Sequence, residues 1–132
     1  MENMPKVSVI IPIYNAAEFL GECLDSVLAQ TLTDIEVICV NDGSPDNSLE
    51  ILREYEKKDS RIKIIDQKNQ GAGAARNHGM SVARGEYLSF LDSDDFFDKD
   101  MLKDAYEAAH ACEADVCVFD ADLFNHTTKT FR

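Results

Sequence analysis

The sequence predicts an α/β protein, a doubly wound and mostly parallel sheet lying between helical layers. Three observations lead there. Short apolar runs alternate with segments of helical spacing along the chain, and such alternation implies right-handed βαβ units. The runs are nearly continuous, as in VSVIIPI and IEVICV, which marks strands buried on both faces. Polar, aromatic and glycine residues gather where the strands end, whereas the opposite ends carry Thr33-Asp34, Lys58–Arg61 and Arg84–Glu86, a set without evident chemistry. Ligands of open parallel sheets bind beyond the carboxyl ends of the strands, so this asymmetry predicts one shared site.

The elements follow in order. Val7–Ile13 is the first strand; Pro12 has no N–H for a ladder, so pairing is expected to end near it. Phe19, Leu20, Cys23, Leu24, Val27 and Leu28 fall at helical spacing, predicting a helix from about Ala17 to Gln30. Ile35–Val40 is the second strand. Ser44-Pro45 reads as an N-cap followed by proline at the first helical position, opening a helix with Leu49, Leu52 and Tyr55 on its apolar stripe. Ile62–Ile65 is the third strand, and Ala74–Ala83 a helix entered through a glycine-rich turn. Tyr87–Leu91 is a fourth strand, Lys99–Ala111 a helix and Val116–Phe119 a fifth strand.

Composition excludes several classes. The chain has 132 residues, which suits one domain spanning 1–132. A net charge of −12 argues against a nucleic-acid binder, which needs a basic face. No apolar run approaches the length of a membrane span, and Met1–Lys6 is too polar and short for a signal peptide. Cys23, Cys39, Cys112 and Cys117 form no Cys-x-x-Cys pair. Buried thiols in a reducing cytosol are therefore expected rather than disulfides or zinc. His78, His110 and His126 have no metal-ligand spacing and are read as non-catalytic.

The strongest chemical signal is YLSFLDSDD at Tyr87–Asp95. An apolar strand stops there at Asp92, Ser93, Asp94 and Asp95. Crowded carboxylates repel one another, and a divalent cation such as Mg²⁺ relieves this while leaving positions for substrate phosphates. A solvated loop with Asp95 or Asp98 capping the next helix is the plainer alternative. Around the same sheet edge fall Pro12, Tyr14 and Asn15, then Asn41, Asp42, Gly43 and Ser44, then Asn69, Gln70, Gly71 and Gly73. An ionised Asp42 suits the ring N–H of a pyrimidine, and Tyr14 offers a flat wall. Gly71 and Gly73 permit close approach of a ligand to a helix N-terminus that favours anionic oxygens. Arg76 either faces a diphosphate or pairs with Asp42 or a surface carboxylate.

The run from VSVIIPIYN to VNDGSPDNS, the later NQGAGAARNHG and the LDSDD together resemble the amino-terminal, nucleotide-sugar-binding half of a family 2 glycosyltransferase. The resemblance implies a Rossmann-like GT-A fold and a nucleoside diphosphate sugar donor, usually UDP-linked, with Mn²⁺ or Mg²⁺ on the diphosphate. It implies that Asp42 accepts a hydrogen bond from the base and that Pro12 and Tyr14 flank it. Asp92 would face the ribose or metal, and Asp94 would ligate the metal. Asn69, Gly71, Arg76 and Ser93 complete the expected donor contacts. The acceptor would be a saccharide or other cell-envelope hydroxyl, and the location cytoplasmic, at the inner face of the membrane.

An inverting transfer needs a general base. The resemblance places that base in the carboxyl-terminal half of such domains, so it is expected beyond Arg132, in a catalytic domain cut short before its acceptor region. Asp95 and Asp98 are poor substitutes, because a nearby metal lowers their pKa. Two other readings follow from the residues. One is a nucleotide-binding module that transfers nothing. The other is a haloacid-dehalogenase-like phosphatase, because VCVFDAD at Val116–Asp122 ends in Asp120 and Asp122, although Leu123 and Phe124 replace the threonine such a motif carries.

Overall fold

Eight elements alternate strictly in the computed structural model of the chain, which describes residues 4–111. They are β1 (Val7–Ile13), α1 (Ala17–Leu28), β2 (Ile35–Asp42), α2 (Ser48–Lys58), β3 (Ile62–Gln67), α3 (Ala72–Val82), β4 (Tyr87–Phe90) and α4 (Met101–Ala111). The strands form one parallel sheet in the order β3-β2-β1-β4. The order reverses between β1 and β4, the position where open α/β sheets receive ligands. The doubly wound parallel fold expected from the sequence is present. The fifth strand at Val116–Phe119, like Asp120 and Asp122, lies outside the described residues.

Alternation along the strands sorts the core into two layers. Val9, Ile11, Ile13, Val37 and Cys39 face α1, α2 and α4, against Leu20, Leu24, Leu52 and Leu102. Ile10, Ile38 and Val40 face Ala75 of α3 on the other side. Both faces of β1 and β2 are thus covered, which explains their unbroken apolar runs. Fully burying one such aliphatic side chain contributes about 1.5–3 kcal/mol. Leu52 is the fully buried apolar residue of α2, so that helix also relies on Tyr55, whose hydroxyl donates to Asp25 Oδ1 at 2.8 Å.

Pro12 ends pairing on one side alone. The Ile10 carbonyl accepts from Leu91 N–H, and successive residues of a strand alternate sides, so Pro12 turns its missing donor toward β4. Pairing with β4 stops at Ile10, whereas β2 continues alongside through Ile13.

The proposed Ser44 cap is corrected. α2 begins at Ser48, after Asn47. Ser44, Asp46 and Ser48 instead serve the entry to α1. Their side-chain oxygens accept from Asn15 N–H (3.0 Å), Ala17 N–H (3.0 Å) and Ala16 N–H (3.3 Å) respectively. α1 has no cap of its own, since Ala16 stands at its N-cap position. The far loop therefore satisfies its orphan donors.

Other limits shift less. β2 runs on through Asn41 and Asp42, which pair with Asp66 and Gln67 of a longer β3. α3 starts at Ala72 rather than Ala74, so Gly73 lies inside its first turn. α1 stops at Leu28, leaving Gln30 outside it, and α4 starts at Met101 rather than Lys99. Cys23 and Cys39 are buried free thiols, as expected. Among the described residues, no helix is long and apolar enough to cross a membrane.

Candidate functional site

A cleft of about 290 Å³ opens where the carboxyl ends of β1, β2 and β4 meet. Its walls include Pro12 near the end of β1 and Tyr14 just after it, Asp42 at the end of β2, and Asp92, Ser93 and Asp94 after β4. With Asn15, seven of the residues placed at this edge from the sequence therefore share one space. Tyr14 stands 51% exposed at the mouth, and Phe19 of α1, 47% exposed, is a second ring on the wall. The helical spacing of Phe19 suggested an inward position; its exposure shows it at the edge of the stripe. Asn69, Gly71 and Arg76 are not among the cleft walls, and each acts at one remove.

Asp42 is buried and held by three protein donors. Its Oδ1 accepts from Gln67 Nε2 at 2.9 Å and Gln70 N–H at 2.8 Å; its Oδ2 accepts from Gly71 N–H at 2.9 Å. Burial by itself would raise the carboxyl pKa, but these hydrogen bonds outweigh it and hold the group below the usual carboxylate range. Asp42 is thus a fixed anion. Gln67 is oriented in turn, because its Oε1 lies 2.8 Å from His78 Nδ1. With an amide oxygen as the partner, His78 Nδ1 carries the proton. Neither Gln67 nor His78 was singled out from the sequence, since their contact with the site runs through other side chains.

Two glycines shape this region. Gly71 has φ 99° and precedes α3, a conformation that costs an L-residue about 1–3 kcal/mol. Gly43 has φ 69°, and a Cβ there would lie 2.7 Å from the Asn69 backbone nitrogen. Asn69 therefore marks where the loop after β3 closes on the loop after β2.

Carboxylates gather beyond β4. Asp92, Asp94 and Asp95 can each bring one oxygen within 4.8 Å of the others. Arg76 of α3 pairs with Asp92, Nη2 to Oδ1, at 3.2 Å, not with Asp42. The Asp92 side chain is still 49% exposed. Asp95, expected in the carboxylate cluster but not named as a ligand, is brought into it by a turn in which its N–H donates to the Asp92 carbonyl. A hard-oxygen donor set of this kind, with room on its open side, fits Mg²⁺ or Mn²⁺.

Comparison with known proteins agrees with this fold. The uncharacterized glycosyltransferase EpsJ of Bacillus subtilis is 48% identical over 113 residues, which is 86% of this chain and 33% of EpsJ. Residues 1–349 of TarS of S. aureus, solved in complex with UDP, are 36% identical with a TM-score of 0.75, over 80% of this chain and 32% of that TarS chain. The mannosyltransferase PcManGT of Pyrobaculum calidifontis, solved with GDP-Man and Mn²⁺, is 26% identical with a TM-score of 0.74, over 81% of this chain and 33% of the other. The chain spans 18–39% of the length of the first five curated relatives it matches. The family model described as "Glycosyl transferase family 2" matches residues 8–132, and the chain belongs to that family.

Proposed function

We propose that the chain is the donor-binding part of a glycosyltransferase that takes a UDP-linked sugar and a divalent cation, Mn²⁺ or Mg²⁺. The observation that carries this reading is that Asp42 and the Asp92–Asp94 pair wall the same cleft. One end of the ligand would meet a fixed hydrogen-bond acceptor and another a cation site. The complexes of TarS with UDP and of PcManGT with GDP-Man and Mn²⁺ support the ligand class.

The hydrogen bonds of Asp42 favour uracil. A carboxylate has about four lone-pair directions, and three are taken by Gln67, Gln70 and Gly71. The one left on Oδ2 suits the single ring N–H of uracil better than the two neighbouring donors of guanine. Pro12 and Tyr14 would line the base, and Ser93 with Asp92 the ribose side. Asp92 and Asp94 would hold the metal, and Asp95 can join them. A bound cation supplies positive charge to the departing diphosphate. Arg76 would exchange part of its contact with Asp92 for the diphosphate, whose phosphate oxygens can pair with guanidinium two at a time. In the whole protein, transfer with inversion to a saccharide or other cell-envelope hydroxyl, at the cytoplasmic face of the membrane, is the reaction this site would serve.

Titration calorimetry with UDP, GDP and TDP, with Mn²⁺ and with EDTA, tests the reading. UDP should bind most tightly and Mn²⁺ should strengthen it. Asp94→Ala should weaken UDP binding at least tenfold in Mn²⁺ and little in EDTA; Asp42→Ala should weaken it under both conditions. Equal losses for Asp94→Ala in the two buffers would remove it from the metal site.

A further inference from the structure

Past the end of α1, a buried glutamine holds a loop from the far side of the sequence. Cys23, Ser26 and Gln30 follow one another at spacings of three and four, so they continue one face. Cys23 Sγ lies 3.7 Å from the Asp92 carbonyl, and Ser26 Oγ accepts from Phe97 N–H at 3.1 Å. Gln30 is only 2% exposed. Its Nε2 donates to the carbonyls of Ser26 (3.1 Å) and Asp98 (2.6 Å), and its Oε1 accepts from Leu102 N–H (2.9 Å). This set fixes the amide orientation: a flipped amide would set N–H against N–H and oxygen against two carbonyls. Leu102 is the second residue of α4, where N–H groups lack intrahelical partners. Gln30 thus ties the end of α1 to the start of α4.

The segment held by the Cys23, Ser26 and Gln30 contacts carries the acidic cluster. Asp92–Asp100 connects β4 to α4 without helix or strand, yet Asp92, Asp94 and Asp95 converge within 4.8 Å. Like charges that close repel, so a connection free to relax would spread them apart. A buried amide is costly unless its groups are paired, and an apolar side chain would fill the space at less risk. Gln30 directs its pairing into the backbone at the α4 end of the connection, to the Asp98 carbonyl and the Leu102 N–H, while Cys23 meets the β4 end at the Asp92 carbonyl.

We infer that Gln30 is a positioning residue for the acidic cluster. With the Cys23 and Ser26 contacts to Asp92 and Phe97, its anchoring of Asp98 and Leu102 fixes the Asp92–Leu102 backbone against α1 so that the carboxylates converge, and so sets the affinity for a divalent cation. This rests on the metal-assisted donor-binding reading above. Residues that orient metal ligands from behind typically change metal affinity by about 10–100-fold.

The test uses the 132-residue chain as wild type, as Gln30→Met, which keeps the volume without the hydrogen bonds, and as the milder Ser26→Ala. Mn²⁺ binding is followed by electron paramagnetic resonance, and amide hydrogen exchange by mass spectrometry. The expected result is Mn²⁺ affinity about 10–100-fold lower in Gln30→Met, with faster exchange confined to residues 92–102. Ser26→Ala should shift both in the same direction by less, and it carries the test if Gln30→Met does not fold. Unchanged exchange in 92–102, exchange raised evenly across the sheet, or unchanged Mn²⁺ affinity with a loosened loop would each overturn the inference while leaving the donor reading intact. A wild-type chain that binds no Mn²⁺ would instead overturn the metal-assisted reading, and the inference with it.

Discussion

Asp42 shows how much one side chain can depend on atoms outside its own strand. Gln67, Gln70 and Gly71 supply its hydrogen bonds, and removing a buried acceptor leaves those donors unsatisfied at about 1–3 kcal/mol. Asp42→Ala should therefore destabilise the fold as well as weaken nucleotide binding. The carboxyl is held below its ordinary pKa against the effect of burial, so the sign of its pH dependence is fixed. Its stabilisation is complete above the unfolded value, about 3.9, and is lost as pH falls through the lower folded value. Asp42→Asn, which cannot ionise, should be less stable than wild type at neutral pH, and thermal melts should show that gap closing as pH drops below about 4. A gap that stays constant down to the acid transition would mean that the charge on Asp42 is irrelevant to folding. Asp42 itself was legible in the sequence, because a carboxylate ending an apolar run is conspicuous. Gln70 and Gly71 were legible as neighbours at the same edge but not as its donors, and Gln67 was not legible at all, since the three come from 25 to 29 residues away.

Between elements, the Ser44–Ser48 segment has the most to teach. Serine followed by proline is a good local start signal, yet tertiary contacts use these side chains for the entry to α1. Asp46 is the hub. It accepts from Ala17 N–H through Oδ2 and from Ser48 N–H and Oγ through Oδ1, so it serves the first turns of α1 and α2 together. Losing a single N-cap typically costs about 1 kcal/mol. Asp46→Ala should cost roughly double that, with no change in the urea m-value, because the folded surface is otherwise the same. A loss of only a few tenths would show water replacing the carboxylate without penalty. Periodicity made β1, β2 and the helices readable, because burial on both faces leaves an unbroken apolar run. Gln30 was read as the tail of a helix, and nothing local reveals that its partners are 68 and 72 residues on. Glu36 at the amino edge is similar. It looks like a break in IEVICV, but it is 3% exposed and accepts from Ser8 Oγ, Arg84 N–H and Lys63 Nζ.

For the molecule as a whole, the charge of −12 opposes an anionic ligand. In EDTA, UDP should bind more tightly as salt rises from about 10 to 100 mM, because the Debye length falls from about 30 to 10 Å and screens the repulsion. In Mn²⁺ the same change should have a smaller effect. Calorimetry at the two salt concentrations checks both, and weaker binding with salt in EDTA would show that Arg76 and the local field dominate the net charge. The strand order β3-β2-β1-β4 also has a kinetic side. β1 can pair with β2 soon after both exist, but it gains β4 only through contacts such as Ser8 with Gly85, 77 residues apart. Closing so long a loop delays such contacts. The β1–α1–β2 unit should therefore form early in folding, and the carboxylates beyond β4 should converge last. A nascent chain would then already possess Asp42 and its strand while still unable to hold a cation. Competence for the donor would arrive in a single late step, when Gln30 meets Leu102.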